Sequence, residues 1–455
     1  MEESEKGAES KARRLVEEYG GVFGEVWVTR HPRGVVGEAG GKHSNTNWAA
    51  RSCTRELLLR GTPLAHCVLT ILDADALLPS LYIPALERAM FPTTTSSTTA
   101  AHDPYHSYYC PPTFFGRNCH DVPAVVRATD NGWCMMHAQN LKTGGGVMFP
   151  CSNYSVPATL MEKVGYWDTG FDAIGEDMHM GLKCLFESET RARGVPVWVP
   201  INCCNVQAAT SLGTVYARWT QAVRHYYGHA DLAYVLRLTW KQVREGVADL
   251  LTRRNDGLPT ADGKKTDRET APAAPTPYDP PAGDPLSPRA VLPAYKRNPG
   301  WWARLGAKLV AVAALAESHF MPFPVVVLTA FTGPLLDLWG ARAHLADSPG
   351  TLWMYDRLPY LAFATAAPGL LNFAYYEVYH RVVYNRMEEM GAVERSWTHE
   401  ARPRDWGDLV DYLVSPLSAF FFMTLPSCTA VLKRFWTAGK TQEYIVGQKE
   451  LKNKN

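Results

Sequence analysis

The chain has almost no surplus of charge of either sign: 46 Lys and Arg stand against 45 Asp and Glu, for a formal net charge of +1. Proteins that grip a phosphate backbone carry a basic excess, so nucleic acid is a poor first partner to consider. A cysteine framework is lacking too. Ten cysteines are scattered over 455 residues with one adjacent pair, Cys203 and Cys204, and no CxxC spacing. That pattern suits reduced thiols in a cytosol-facing domain. Cys110, Cys119 and His120 have no second half with which to build a zinc site. The first twenty residues, rich in Glu, Lys and Arg, hold no apolar stretch of the kind a secretory signal needs.

The length is that of two or three domains, and an aromatic share of 11% is ample for a core. Residues 8–19, AESKARRLVEEY, read as a surface helix, and 24–31, GEVWVTRH, as a short strand. Ser44 or Asn45 is placed to cap a second helix that ends at Gly61. Residues 66–75, HCVLTILDAD, are a short apolar run stopping at two acids, the pattern of a buried parallel strand that delivers polar groups to a sheet's carboxyl edge. An α/β order that opens on a helix lacks the first strand with which a nucleotide-binding sheet usually starts. Residues 91–122, rich in Thr, Pro, Tyr and His, are expected to form a long loop. Residues 254–300 hold ten prolines and few large apolar side chains, the composition of a linker or exposed insertion.

The character then changes. A bilayer core needs roughly 20 apolar residues to be crossed as a helix. Residues 412–432 and 358–376 are of that size, the second with Pro368 inside it. Residues 309–339 are long and apolar but interrupted by Glu317, His319, Pro322, Pro324 and Asp337. Buried helices of a large soluble domain would read similarly. The clustering of three such stretches behind one linker, with Trp, Tyr and Arg at their ends, favours a membrane region over 301–455 with about three spans. The lysines of the tail favour a cytosolic end, whereas three crossings from a cytosolic domain would place it outside.

Three groups of residues carry chemistry. Asp73 and Asp75 are two carboxylates one residue apart at a strand end, able to reach a divalent cation and a ribose or diphosphate. Glu176 and Asp177 precede a helix whose positive end would keep them ionised, and an ionised carboxylate facing a sugar hydroxyl is a competent general base. N-terminal helix capping explains the same two acids. Gln221, Arg224 and His225, in ARWTQAVRHYYGHADLAY, share one helical face, where Arg suits a phosphate. A polar surface helix explains them as well.

The order of these groups is more telling than any one. A DxD after a strand, an ED before a helix about a hundred residues later, then QxxR(H) and apolar spans resembles the family-2 glycosyltransferases, the group of cellulose, chitin and hyaluronan synthases. GGKHSNTNWAAR and VGYWDTGFDAIGED are similar to that family's segments, and HPRGVVGEAGGKHSNTNWAA, FPCSNYSVPATLMEKVGYWD and IGEDMHMGLKCLF to a fungal branch of multi-span members. The resemblance covers residues 1 to about 240, and the apolar region only in character.

The resemblance implies an α/β fold: a GT-A (Rossmann-like) nucleotide-sugar domain over 1–253 lacking its first strands, and a C-terminal transmembrane helical region. It implies that Asp73 contacts the nucleotide-sugar and its metal, that Asp75 ligates Mg²⁺ or Mn²⁺, and that Asp177 deprotonates the acceptor with Glu176 beside it. Lys42, Asn45, Glu2 and Glu3 would lie near the nucleotide, and Gln221, Arg224, His225 and Tyr226 near the acceptor or diphosphate. The implied reaction is a single displacement with inversion, from a UDP-linked nucleotide-sugar to a glycan or lipid-linked acceptor. The protein would be integral to a membrane, of the cell surface or of the Golgi or ER, with its catalytic domain cytosolic. Two departures matter: His225 stands where the signature has Trp, with Tyr226 or Tyr227 as substitutes for stacking, and the family's first strands should precede residue 1. Such a truncated chain would bind UDP-sugar poorly. The alternatives are an impaired transferase-like membrane partner, a lipid-phosphate sugar transferase, and remotely a metal-dependent nuclease or phosphatase.

Overall fold

The computed structural model describes residues 1–3, 5–91, 103–142, 147–170, 173, 175–188, 192–255, 300–320, 332–389 and 404–436. The Pro-rich stretch 254–300 lies outside these residues except at its ends, as does part of the apolar stretch 309–339.

The first helix, α1 (Ala8–Tyr19), falls on the expected residues. Residues 24–31 are not a strand. Trp27 and Val28 stay partly exposed, and the segment pairs only near its end, where the His31 N–H donates to Met1 O at 2.9 Å and accepts Glu3 N–H through its carbonyl at 3.0 Å. Helix α2 (Lys42–Leu59) begins earlier than expected, at Gly41, because Ser44 turns its hydroxyl back to Ala39 O at 2.6 Å instead of capping. Its other end is as read. Gly61 has φ 79°, its N–H donates to Leu58 O and that of Thr62 to Leu57 O, which closes the last turn as a Schellman cap.

The sheet is mixed. Strands β1 (Val68–Ile71), β2 (Ser107–Cys110), β4 (Tyr154–Pro157) and β5 (Arg193–Pro196) run in the order β1-β4-β2-β5, while β3 (Thr113–Phe114) pairs with β6 (Ile201–Asn202). The DxD strand is thus an edge strand paired antiparallel to β4, in register Val68↔Pro157 through Ile71↔Tyr154, and not the buried parallel strand expected. Only β2–β5 and β3–β6 are parallel. The expected loop at 91–122 contains β2 and β3. Aromatic residues favour a pleated, packed surface, and Tyr108 and Tyr109 alternate into two cores. Tyr108 joins Tyr154, Leu160, Trp167 and Met180 on one face; Tyr109 joins Tyr82, Leu86 and Ile201 on the other.

Helices α3 (Tyr82–Met90), α4 (Ala124–Lys142), α5 (Ala158–Lys163) and α6 (Glu176–Glu187) surround the strands, followed by α7 (Ser211–Tyr226) and α8 (Ala230–Asn255). Leu182, Leu185 and Phe186 of α6 pack with Val235 of α8 and with Ala311 and Leu315 of α9 (Trp301–Phe320), so α9 shares the core of α6 and α8. The domain is mixed α/β and mostly helical. Helices α10 (Thr332–Leu338), α11 (Ala341–His344) and α12 (Pro349–Glu389) follow, and α12 runs unbroken through residues 358–376.

Among the described residues one helical run, Trp406–Trp436, is long and apolar enough to cross a membrane. It comprises α13 (Val410–Ala419), a π turn and α14 (Leu425–Trp436). Ions fix its start to the domain. Asp411, fully buried, accepts from Arg127 Nε of α4 and from Arg404 Nη1, each at 2.7 Å; Arg404 Nε meets Glu377 of α12 at 2.9 Å, and Asp408 faces His120 and Arg127 at 3.6 and 3.7 Å.

Candidate active site

The chain leaves β1 and turns through Asp73 and Asp75. Asp73 is pinned by its own N–H, which donates to Asn153 Oδ1 at 2.9 Å just before β4. Asp75 is held from the other side: Arg117 donates to its carbonyl, and Cys204 N–H to its Oδ2 at 3.4 Å. The adjacent Cys203 takes an N–H from Asn153 at 3.4 Å, so the cysteine pair lines the outer wall of the acid turn.

The early start of α2 puts Lys42 in its first turn, aimed at the same place. Its Nζ lies 2.8 Å from Asp73 Oδ1, 3.0 Å from Glu176 Oε2 and 2.7 Å from Ser152 O. One ammonium therefore touches both the acid after β1 and the acid opening α6, which brings the two motifs together at Lys42. Burial would push the Lys42 amine down, but the carboxylates of Glu176, Asp73 and Asp177 outweigh it and hold it well above its ordinary value.

Glu176 is 5% exposed. Its Oε1 accepts from Tyr154 OH at 2.6 Å and Trp167 Nε1 at 3.2 Å, and Trp167 also donates to the Tyr154 oxygen at 2.8 Å. Burial raises the Glu176 carboxyl above its ordinary value, against the pull of Lys42 and with the push of Asp177. Asp177 is bound through both oxygens to backbone amides, Ser152 N–H at 2.5 Å and Met178 N–H at 2.8 Å. Ser152 has φ 56°, a left-handed conformation that a non-glycine residue adopts at a cost. Through it, one residue offers its N–H to Asp177 and its C=O to Lys42.

The other expected residues sit elsewhere. Glu2 binds His31 Nδ1 at 3.0 Å, with Glu38 on the far ring nitrogen at 2.8 Å, and Glu3 accepts Arg33 N–H at 3.1 Å. Asn45, one turn after Lys42, accepts from the Met1 amine at 3.3 Å. Gln221 is engaged by Arg218, which pairs with Asp130 of α4 at 2.7 Å. His225 is exposed and meets the Trp133 ring edge-on at 5.8 Å, while Tyr226, 4% exposed, turns its ring to His319 of α9 at 6.3 Å.

The residues that sequence reasoning left unmarked are the supports. Ser152, Asn153 and Tyr154 lie in the FPCSNYS wording and Trp167 and Asp168 in VGYWD, but no spacing rule assigns them a task. His179 is a further one: its Nδ1 meets Asp231 at 2.6 Å and its Nε2 meets Asp168 at 2.9 Å.

Among the described residues no three His, Cys, Asp or Glu side chains converge as a metal cage. The Asp73–Asp75 turn offers carboxylate oxygens alone, the donors a hard cation takes when substrate phosphates complete its shell. Residues 68–338 match the family described as Glycosyl transferase family group 2. No curated protein and no solved structure matches the chain.

Proposed function

The chain belongs to Glycosyl transferase family group 2, and from that premise we propose that it moves a sugar from a nucleotide-sugar, UDP-linked, to a glycan acceptor with inversion at the anomeric carbon. The supporting observation is the convergence at Lys42 of Asp73 and Glu176, with Asp177 beside them on the Ser152 peptide. In this reading the Asp73–Asp75 turn receives the diphosphate, Lys42 adds positive charge beside it, and Asp177 takes the proton of the acceptor hydroxyl. Two backbone amides fix the Asp177 carboxylate in direction, as a base must be. Glu176, its carboxyl raised by burial, acts beside it through Lys42. Asp73 and Asp75 would hold Mg²⁺ or Mn²⁺, which when bound offsets charge on the leaving diphosphate.

Gln221 and Arg224 stand on the acceptor side in this reading, and Asn45, Glu2 and Glu3 toward the nucleotide. The domain spans 1–253 with α9 packed onto its core, and the region beyond α9 carries the attachment to a bilayer, with Trp406–Trp436 as the span best suited to it and the transferase side cytosolic.

The test is incubation of membranes containing the full chain with labelled UDP-glucose, UDP-N-acetylglucosamine and GDP-mannose. Label should enter insoluble polymer, and Asp177→Asn should cut incorporation by about 10²–10⁴, the usual worth of a general base. Label that enters only lipid extract would move the acceptor to a lipid phosphate. Incorporation that survives Asp177→Asn would remove the base assignment.

A further inference from the structure

The base helix is gripped from behind. On an α-helix, residues two apart lie on nearly opposite faces. Asp177 faces Ser152 and Lys42, and His179 leaves α6 on the other side, where its two ring nitrogens are both taken: Nδ1 by Asp231 at 2.6 Å and Nε2 by Asp168 at 2.9 Å. Asp231 is 1% exposed and is the second residue of α8; Asp168 belongs to the loop before α6. Four residues on, Lys183 meets Asp168 Oδ1 at 2.5 Å and Tyr166 O at 2.8 Å, so one carboxylate ties two successive turns of α6 to the loop that feeds it.

The grip extends along α8. Tyr234 lays its ring 4.8 Å from that of His179 and donates its hydroxyl to Glu187 at the end of α6. The turn between α7 and α8 comes equally close: a Cβ on Gly228 would lie 2.8 Å from Met178 Cε and 2.7 Å from His319 Nε2. This turn follows directly on the helix that carries Gln221 and Arg224.

We propose that His179 is a positioning residue that clamps the Asp177 helix to the α7–α8 turn, so that the carboxylate and the helix bearing Gln221 and Arg224 keep one fixed relation. A helix held only by apolar contacts can rotate and slide by small amounts; an imidazole bonded at both nitrogens to two separate segments fixes rotation and height together. The consequence for transfer rests on the reading of Asp177 as base.

The experiment uses the full chain in detergent or nanodiscs and has two arms. In the first, hydrogen–deuterium exchange compares wild type with His179→Gln and Asp231→Asn. Expected is exchange at least tenfold faster in both α6 and residues 227–240 for His179→Gln, a smaller rise for Asp231→Asn, and no change in α4 or β4. Faster exchange in α6 alone, no change, or acceleration of the whole domain would each overturn the clamp. In the second, initial rates with the best-labelling nucleotide-sugar should show kcat at least tenfold lower in His179→Gln with the donor KM within about twofold. A loss of rate matched by loss of folded protein would overturn it. A wild type that labels nothing would defeat the transferase reading, while the exchange arm still decides the clamp.

Discussion

Two clusters in this molecule bring buried carboxylates together with cations, and they differ in balance. Around Asp411, the acids Asp408, Asp411 and Glu377 meet Arg127, Arg404 and His120 at contacts of 2.7 to 3.7 Å, and Asp411 has no exposure. Around Lys42, Asp73 and Glu176 share one ammonium, Asp177 leans on backbone amides, and Asp75 lies across the same turn. The first cluster answers its own charge and seals the start of an apolar helix against the domain. In the second, two carboxylates share one lysine and the site stays partly open, with Lys42 and Asp73 side chains each 27% exposed. A sealed ion cluster holds a fold together; one that stays open to solvent can exchange its cation for another.

The largest effect should come from the sealed cluster. Asp411→Ala removes the fully buried carboxylate shared by two guanidiniums, at a cost of about 3–5 kcal/mol. Chemical unfolding should register that loss, with the donor KM of the folded fraction unchanged. An altered KM at full stability would mean that the two clusters are coupled and the contrast is false.

Lys42→Met tests the open one. It removes the cation shared by Asp73 and Glu176, but partial exposure lets water and ions take its place, so the expected loss is about 1–3 kcal/mol. In return the acids should bind Mn²⁺ more tightly, by calorimetric titration of the full chain. Weaker Mn²⁺ binding would show that Lys42 organises the turn instead of competing for it.

How much of this was legible in the sequence depends on how far apart the partners lie. Asp73, Glu176 and Asp177 could be paired through the order of their motifs, and the structure brings Asp73 and Glu176 to one lysine, with Asp177 on backbone amides beside them. Helix α1 and the Gly61 cap were readable because periodicity and capping are local. The strand at 107–110 was not, because four residues buried on both faces show no alternation, and nearby prolines make the segment look like a loop. The direction of β1 was missed because pairing is decided by β4, some 85 residues away. The His179 clamp draws on partners 11 residues before and 52 after, a spacing for which no local rule exists. Of the three apolar stretches, 412–432 lies in the described run that meets the length and hydropathy of a span, and 358–376 is helical.

The clamp also gives the domain a pH signature above neutrality, whereas the lowered Asp408 carboxyl of the Arg-based cluster acts in acid. Burial alone would lower the His179 imidazole, but Asp231 and Asp168 raise it to about 10 from an ordinary 6.5. A raised pKa in the fold stabilises it fully below 6.5, progressively less as pH climbs, and not at all above about 10. Asp168 is held low despite burial, by His179 and Lys183, and contributes the opposite way, losing its share as acid brings pH below the ordinary carboxylate range. Unfolding free energy of wild type minus His179→Gln should therefore fall between pH 6.5 and 10, by at most about 1.4 kcal/mol per pH unit, the slope for one proton. A flat difference would mean that the ring is neutral in the fold.

The smallest and sharpest comparison uses two tyrosines that do the same job. Tyr154 OH donates to Glu176 Oε1 in the open cluster, and Tyr412 OH donates to Glu377 Oε1 in the sealed one. Replacing either by Phe removes one hydrogen bond to a carboxylate, at about 1–2 kcal/mol. In the sealed cluster Arg404 remains on the same Glu377 oxygen at 2.9 Å, and the charge stays answered. In the open one the tyrosine's bond is among the few forces that favour the ionised form of Glu176 against burial, so Tyr154→Phe should shift that carboxyl further upward. Infrared titration of the protonated carboxyl band, assigned by Glu176→Gln, should show that band persisting to higher pH in Tyr154→Phe than in wild type, and unmoved in Tyr412→Phe. A band unmoved in Tyr154→Phe would mean that the tyrosine does not govern the protonation of Glu176, and that the contrast between the clusters is one of exposure alone.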